Sequence, residues 1–281
     1  MFARRPDVLL TGRIGRALNV QRINRHKRYL RRPQFDPDAA TYIAAVETAD
    51  GEALEAGVKT AINDFVAGCK ADGIWDAIKA SCILAGARTL NGCLVPLVGS
   101  APTNFNFVSG DYNRKTGLVG NGSTKFLNSN RNDNADPQNN NHAAVFVTAA
   151  QTSGVGAYLG SNTAGNPTAI GSAPVVPEIF FRNRASAAAT RPINPAGFLA
   201  SARSGSASYE TRAAGVSIVV SVASGEATST DILIYARGTI SDRTAYADAR
   251  MSFYSIGESI GLAALDTRVS TLMTAIDGAI A

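Results

Sequence analysis

The hydrophobic pattern changes near residue 94. From there on, short runs of Val, Phe, Tyr, Ile and Leu are separated by Gly, Asn, Asp and Pro, which is typical of strands joined by turns. Strands this close together leave no room for helices between them, so the pattern predicts two packed antiparallel sheets, a jelly-roll β-sandwich, over residues 87–260. The predicted strands are 94–98, 104–108, 124–128, 143–149, 156–160, 178–184, 197–203, 208–222, 231–237 and 250–256.

Helical spacing precedes the strands. Asp36 followed by Pro37 is a helix start, and Asp50 can cap a second helix that Gly73 ends. In that second helix the apolar positions recur every three or four residues, and Ile74, Trp75, Ile78 and Cys82 continue the spacing. The sequence therefore predicts a small helical module over residues 36–86, with helices over 37–48, 51–72 and 74–86.

The C-terminal segment, residues 261–281, is also predicted to be a helix. Its apolar residues step by three, four, three and four, which is a heptad spacing over two heptads. One interpretation is an oligomerisation seam in a homo-oligomer; the other is an amphipathic helix that packs on its own chain. The seam residues are Leu262, Leu265, Val269, Leu272 and Ile276.

Charge adds a feature that hydrophobicity does not reveal. The net charge of the chain is +5, yet residues 1–32 hold ten basic residues against the single acid Asp7, so this segment carries +9 and the remainder −4. Such an asymmetry predicts a basic N-terminal arm, residues 1–35, that docks on an acidic partner. The alternative is a disordered basic tail. The candidate partner-binding residues are Arg4, Arg5, Arg13, Arg16, Arg22, Arg25, Lys27, Arg28, Arg31 and Arg32.

The partner of the arm could be nucleic acid or protein. Arg and Lys neutralise phosphates without regard to sequence, and Arg equally forms bidentate pairs with carboxylates. Apolar residues alternate with the basic ones, and a phosphate backbone offers few places to bury them. The sequence therefore favours protein docking over nucleic acid. The interleaved apolar residues are Leu9, Leu10, Ile14, Leu18, Val20, Ile23, Tyr29 and Leu30.

Two stretches resemble proteins of bacteriophage particles. The segment that begins DPDAATYIAAVETADGEALEAG at Asp36 and reaches NNNHAAVFV at Val147, with the ending SFYSIGESIGLAALDTRVSTLMTAIDGAI, is similar to a helix-then-sandwich cassette of phage virion proteins. The second half of that cassette resembles LamG-like, concanavalin A-like jelly rolls. The resemblance covers roughly residues 36–260 and implies a virion component, often in fibres or tail-associated proteins. The basic arm is not part of it.

Catalytic and metal-binding patterns are missing from the sequence. A glycoside hydrolase on such a fold needs two facing carboxylates, and no Glu-x-Asp-x-x-Glu string occurs. Cys69, Cys82 and Cys93 lack the spacing of a zinc site, so we expect reduced, buried thiols. We predict no enzyme, no catalytic residue, no metal and no cofactor. No apolar run is long enough to span a membrane.

One loop has the residue types of a ligand site. The segment NSNRNDNADPQNNNH, residues 128–142, is rich in Asn and Asp, whose side chains bind sugar hydroxyls and calcium but also close turns. A glycan, ion or subunit contact and a purely structural role both stay open. The candidate residues are Asp133, Asp136, Asn139, Asn140, Asn141 and His142.

The sequence as a whole predicts a non-enzymatic structural protein of a phage virion, assembled in the host cytoplasm. Its arm would dock on other virion proteins of the head, neck, tail or fibre, and its sandwich would be displayed. Two alternatives are a receptor-binding protein that holds a bacterial surface glycan and a capsid decoration protein.

Overall fold

The computed structural model describes residues 35–152, 154–162, 164–173 and 178–281. The basic arm, with its ten Arg and Lys residues, lies outside these residues. Asp36–Ala281 form one compact unit. The predicted class is confirmed: the chain is mainly β, with antiparallel sheets, short helices before them and a helix after them.

The helices are α1 (Pro37–Asp50), α2 (Ala56–Ala71), α3 (Leu90–Cys93) and α4 (Leu262–Ala279). The strands are β1 (Ile78–Ile83), β2 (Thr103–Phe105), β3 (Tyr112–Asn113), β4 (Gly117–Val119), β5 (Phe126–Asn132), β6 (Asn141–Ala149), β7 (Gly156–Gly160), β8 (Ala169–Ala173), β9 (Glu178–Arg182), β10 (Ala189–Arg191), β11 (Gly197–Arg203), β12 (Tyr209–Ala213), β13 (Val216–Val220), β14 (Asp231–Ile234), β15 (Arg237–Gly238), β16 (Arg243–Thr244) and β17 (Arg250–Gly257).

The strands form two large antiparallel sheets. The first has the order β13-β12-β11-β6-β17-β4-β3, with β1 also paired to β17, and the second has the order β10-β9-β8-β7-β14-β5-β2. The sheets are joined by hydrogen bonds as well as by packing, because Tyr209 donates to the carbonyl of Phe181 and Tyr235 donates to that of Leu118. β15 and β16 form a separate short pair.

The central strands of the first sheet are covered on both faces. Every residue of β11 after Gly197 is buried, and in β17 every residue after Arg250. The second sheet covers one face, and the helices cover the other, with α4 packed on β11 and β12. This double burial explains why these strands are rich in small and apolar residues rather than alternating strictly.

The first helices follow the prediction closely, although one cap is different. Asp36 caps α1, because its side chain accepts a hydrogen bond from the backbone N–H of Asp38, and Gly73, at φ 69°, follows the end of α2. Asp50 was predicted to cap α2, which is wrong, since α2 begins after Glu55. Asp50 instead accepts hydrogen bonds from the backbone N–H groups of Arg88 and Thr89.

The predicted third helix is wrong. Only Trp75–Ala77 form a single 3-10 turn, and β1 then pairs with β17, so the sheet begins inside the predicted helical module. The spacing of Ile74, Ile78 and Cys82 fits a helix face, yet Ile78, Ala80 and Cys82 also alternate as a buried strand does. Cross-strand pairing with β17 decides in favour of the strand.

The strand predictions succeed where the sequence alternates or is strongly apolar. The predicted ranges 156–160 and 197–203 coincide with β7 and β11. The prediction of one strand over 208–222 is wrong, because the chain turns there and forms a hairpin of β12 and β13. The range 94–98 is not a strand; it makes one isolated bridge, between Ser81 and Val98.

The apolar stripe of α4 packs within its own chain. Leu262, Leu265, Val269, Leu272 and Ile276 are all buried in the single chain. α4 lies against α2, where Gly57 allows close approach, since a Cβ there would stand 2.7 Å from Ala279 Cβ. The prediction of an oligomerisation seam is therefore corrected: these side chains are already covered, and the amphipathic-helix interpretation holds.

Candidate binding groove

An open groove of about 610 Å³ lies between α1, the 3-10 turn, the start of β1 and residues 95–98. Its volume lies in the range of small-molecule sites. Most of its wall is apolar, and the polar groups come from Asp38, Thr41, Asp76 and Lys79. Trp75, the only tryptophan of the chain, is half-buried in this wall.

The local sequence explains why Trp75 reaches the groove. After Gly73 turns the chain, Ile74 is buried as an anchor, and the 3-10 turn that follows leaves the indole partly exposed. Trp75 was predicted to lie on the buried stripe of a third helix, and that prediction is wrong. The sequence feature that could have indicated this position is a single Trp followed by Asp, two residues after the glycine that follows α2.

Ion pairs fix the polar rim on both sides of the groove. Lys70 Nζ lies 2.7 Å from Asp36 Oδ1 and 2.6 Å from Asp38 Oδ2, and 5.8 Å from the centroid of the Trp75 ring. Hydrogen bonds to Asp36 and then Asp38 raise the pKa of Lys70, so this ammonium stays charged at neutral pH. On the other side, Lys79 Nζ lies 3.1 Å from Glu258 Oε1.

This arrangement is suited to binding a small polar ligand with an apolar face. An indole ring offers a flat apolar surface, and polar groups lie at its edge. The carboxylates and the hydroxyl of Thr41, which donates its own proton to the carbonyl of Pro37, accept hydrogen bonds, and the ammonium of Lys79 donates them. The rim is not strongly cationic or anionic, because most of its charges are paired. A neutral, hydroxyl-rich ligand fits this chemistry better than a multiply charged one.

The predicted loop of residues 128–142 is built as structure. Asp133 is 2% exposed and accepts hydrogen bonds from Ser161 Oγ at 2.7 Å and Thr168 Oγ1 at 2.8 Å. Its Oδ1 lies 3.6 Å from Nε of the buried Arg184. Arg184 in turn donates to the carbonyls of Asp133, Asp136 and Pro137. Burial lowers the pKa of Arg184, and the carboxylate of Asp133 opposes that shift.

The other loop candidates are also engaged within the chain. Asp136 pairs with Arg131, and Asn141 donates to the carbonyl of Gln138. Asn139 accepts from Ser224, and Asn140 accepts from the backbone N–H of Ser259. These side chains are hydrogen-bonded to neighbouring strands and loops, which favours the structural role of the loop over a glycan or ion site.

His142 is the most deeply buried of the loop candidates, at 1% exposure. Its Nδ1 lies 2.5 Å from the carbonyl of Glu258 and its Nε2 lies 2.8 Å from Ser255 Oγ. A carbonyl only accepts, so Nδ1 carries the proton and Nε2 accepts from the serine. Burial lowers the pKa of His142 to about 4, which keeps the ring neutral.

A second cavity of about 390 Å³ lies beside β12 and the segment after β17. Ser204, Ser208, Glu210 and Ser259 make its wall polar, and its one aromatic residue, Tyr209, is buried. Without an exposed ring this cavity lacks the apolar surface that the Trp75 groove has. The Trp75 groove is therefore the better candidate for a ligand site.

The shifted carboxyl groups among the described residues do not include a candidate general acid. The carboxyl groups whose pKa shifts there all shift downward: Asp36, Glu47, Glu55, Asp72 and Glu258. A general acid that works at neutral pH needs the opposite shift. The same residues hold no cluster of three or more His, Cys, Asp or Glu side chains placed for a metal ion. No helix in this part of the chain has the length and hydropathy of a membrane span.

The three cysteines are free and buried, as predicted. Desolvation raises the pKa of Cys69 and of Cys82 to about 12, and it also raises that of Cys93. At neutral pH these groups are thiols rather than thiolates, so they act as small core side chains.

The fold and the groove together describe an antiparallel β-sandwich protein with an open, aromatic-lined groove among its described residues. No family model matches the sequence. No curated protein matches it either.

Several solved structures share part of the fold at low identity. A mutant of the NanB sialidase of Streptococcus pneumoniae matches with a TM-score of 0.41 and 14% identity over 54% of this chain and 26% of the sialidase. The binding domain of botulinum neurotoxin serotype D matches with a TM-score of 0.47 and 9% identity over 70% of this chain and 51% of that domain. The leech intramolecular trans-sialidase gives a TM-score of 0.32 and 10% identity over 50% and 23%. The chain spans between about a quarter and a half of these structures, and TM-scores this low carry no functional argument.

Proposed function

We propose that the chain is a non-enzymatic structural protein of a bacteriophage particle, of the tail, neck or fibre type, that displays its β-sandwich for binding. The resemblance of residues 36–260 to a virion cassette supports the assignment to a phage particle. The charge asymmetry of the chain supports a docking role for residues 1–35. In this proposal the protein is assembled in the host cytoplasm and resides in the virion. The basic arm holds neighbouring virion proteins rather than nucleic acid.

The Trp75 groove carries the binding part of the proposal. It combines a half-buried indole with hydrogen-bonding groups at its edge, whereas the polar loop of residues 128–142 is occupied internally. We propose that a glycan of the bacterial surface lies with the apolar face of one sugar ring on Trp75. Its hydroxyls then meet Asp76, Thr41 and Lys79. An open groove leaves much of a ligand in water, so we expect a dissociation constant on the order of 0.1 to 1 mM per site.

Fluorescence of the full chain tests this groove directly, because Trp75 is the only tryptophan. A glycan array identifies the sugar, and titration of that sugar should change the emission of Trp75. Trp75→Ala should abolish array binding and Trp75→Phe should retain part of it. Tyr246→Ala, which removes a half-buried aromatic ring that does not line the groove, is the matched control. An array signal that survives in Trp75→Ala, or a flat array with the folded chain, would refute the groove.

The arm is tested in particles. In one full-length variant the ten basic residues of the arm are replaced by Gln, and in a second the nine arginines are replaced by Lys. We expect the Gln variant to fold but to be missing from purified particles, because the paired charges with neighbouring subunits are lost. The Lys variant keeps the charge and should be incorporated at least in part. Normal incorporation of the Gln variant would rule out docking by the arm.

A further inference from the structure

The strand β13 is an unusually exposed edge of the first sheet. Val216 is 53% exposed, Ile218 45% and Val219 69%, which makes three of its five residues large, apolar and open to solvent. In the part of the chain that the structure describes, β13 pairs with β12 alone. An exposed edge of this kind presents free backbone groups beside apolar side chains, and it favours pairing with another strand.

The other four edges of the two large sheets are protected against such pairing. The free side of β1 is bridged by residues 97 and 98, which exchange backbone hydrogen bonds with Ser81. β3 has two residues and is followed by Arg114. β2 and β10 have three residues each, with Pro102 before β2 and Pro192 after β10. The last residue of β10, Arg191, is buried and donates to the carbonyl of Val216. Short length, charge and proline commonly prevent an edge strand from pairing with a further strand. β13 has none of them, since its sequence VSIVV holds no charge and no proline.

The turn before β13 determines which backbone groups face outward. Ala214 and Gly215 have φ of 49° and 74°, so they form a two-residue turn closed by Ala213 and Val216. In such a hairpin the closing pair exchanges both hydrogen bonds, and hydrogen-bonded pairs alternate from there. Val216, Ile218 and Val220 therefore point their backbone groups at β12. Those of Ser217 and Val219 point away from the sheet.

A second copy of β13 complements this edge in one antiparallel register. Two outward-facing residues must lie opposite each other for their N–H and C=O groups to bond. All four outward-facing residues of the two strands pair within β13 only when Ser217 of one copy faces Val219 of the other. Ile218 then faces its own equivalent on a two-fold axis. Four backbone hydrogen bonds and the three exposed apolar residues of each copy enter this contact, and no residue has to change its pairing with β12.

The charged residues of β12 do not oppose this register. Glu210 is opposite Val219, and Arg212 is opposite Ser217. Pairing through β13 places Glu210 of one copy and Arg212 of the other about 14 Å apart at the usual strand spacing, which is too far for a direct ion pair. Arg212 already pairs with Asp266 of its own chain, with 2.7 Å between Nε and Oδ2. No like charges meet across the two-fold axis, and a second copy of β13 supplies the matching outward-facing residues by symmetry.

We propose that two copies of this protein associate through β13, as an antiparallel strand pair centred on Ile218 that extends the first sheet across both chains. This places self-association on the sheet edge and not on α4, and it stands apart from the glycan proposal. A contact of one strand is smaller than a standard protein interface, so the dimer is weak when the protein is free and is favoured where copies are concentrated in an assembly.

Analytical ultracentrifugation of the full chain from about 5 to 500 µM tests the proposal, with dimer expected within that range. Val219→Lys should raise the dissociation constant at least about tenfold, because the two introduced lysines occupy diagonal positions about 7–8 Å apart on one face of the pair and repel each other. Ser217→Pro should act in the same direction by removing an outward N–H while leaving the backbone bonds to β12 in place. It also removes the hydroxyl that accepts from Arg212 of β12, so its stability is measured beside its dissociation constant. Val108→Lys, at a residue 59% exposed on a different segment, should leave the dimer unchanged.

Cross-linking tests the register itself. Opposed Cα atoms of a non-hydrogen-bonded pair lie about 4.5 Å apart, within the range of a disulfide. Ile218→Cys should therefore form a disulfide between two copies under mild oxidation, whereas Val108→Cys should not. The native thiols are buried and stay out of this reaction. A chain that is monomeric at all these concentrations, a dimer that Val219→Lys and Ser217→Pro leave intact, or cross-linking equal at positions 218 and 108, would overturn the proposal.

Discussion

Removing the carboxylate of Asp133 should destabilise the sandwich strongly. This side chain connects three parts of the chain, since it accepts hydrogen bonds from Ser161, Thr168 and Thr228 and lies against Arg184. In Asp133→Ala the guanidinium of Arg184, which is 1% exposed, stays buried without its carboxylate. The two short hydroxyl bonds and one backbone N–H bond to that carboxylate are lost at the same time.

The expected cost follows from these losses. Breaking a buried ion pair by removing one partner costs about 3 to 5 kcal/mol, because an uncompensated charge is left in the interior. The distance of 3.6 Å makes the direct pair with Arg184 a loose one. The short bonds from Ser161 and Thr168 keep the total in this range, since each unsatisfied buried group costs about 1 to 3 kcal/mol. For a chain of this size the melting temperature should fall by roughly 6 to 20 °C.

Urea unfolding measured by circular dichroism and by Trp75 fluorescence gives the free energy directly. Asn134→Ala, an exposed position in the same loop, is the matched control and should change stability by less than about 0.5 kcal/mol. The slope of the unfolding free energy against urea concentration should be the same for all variants. A loss below about 1 kcal/mol in Asp133→Ala would show that the loop is not held by this network, and the structural assignment of residues 128–142 would fail.

Three further predictions concern the interior. His142 has a pKa of about 4 when folded against 6.5 when free, so only the unfolded chain takes up a proton as pH falls from about 6.5 to about 4. Stability present above pH 6.5 should therefore decline by roughly 3 kcal/mol over that window, and the pH series of His142→Gln should lack this part of the decline. Ellman's reagent should find no reactive thiol in the native chain and three in urea, and fast native labelling would contradict the burial of the cysteines. Leu265→Ala should cost about 2 to 5 kcal/mol in unfolding free energy without changing the sedimentation coefficient at a given concentration, whereas a change of oligomeric state would restore the seam interpretation of α4.

The sequence predicts the fold class because the hydrophobic period and the residues that start or end helices and strands agree over most of the chain. Asp36, Pro37 and Gly73 mark helix ends by local chemistry that tertiary contacts do not override. The ranges of β7 and β11 are bounded by turn residues on both sides and are correct to the residue. The hairpin of β12 and β13 was predicted as one long strand, because Ala214 gives no turn signal of its own.

Elements whose identity depends on distant partners could not be predicted. β8, with the sequence AIGSA, is made of small residues and forms a strand because β7 and β9 flank it. Residues 78–83 satisfy a helical and a strand period alike, and only pairing with β17 separates them. Short-range patterns contain neither kind of information.

The site was harder to predict than the fold for the same reason. Asn and Asp in residues 128–142 have the composition of a ligand loop, yet their partners come from positions as far away as Ser224 and Glu258. The groove is the opposite case, since its walls come from α1, the Trp75 turn and residues 95–98. No single one of these segments predicts a groove, because the groove forms only where the folded chain brings the three together.

Quantitative mass spectrometry of gradient-purified particles, produced by the bacterial strain that carries the gene, tests the central proposal most directly. We predict peptides from both the basic arm and the sandwich at a fixed copy number per particle that stays constant through repeated purification. Particles that are complete and infectious but contain no copy of this chain would contradict the account.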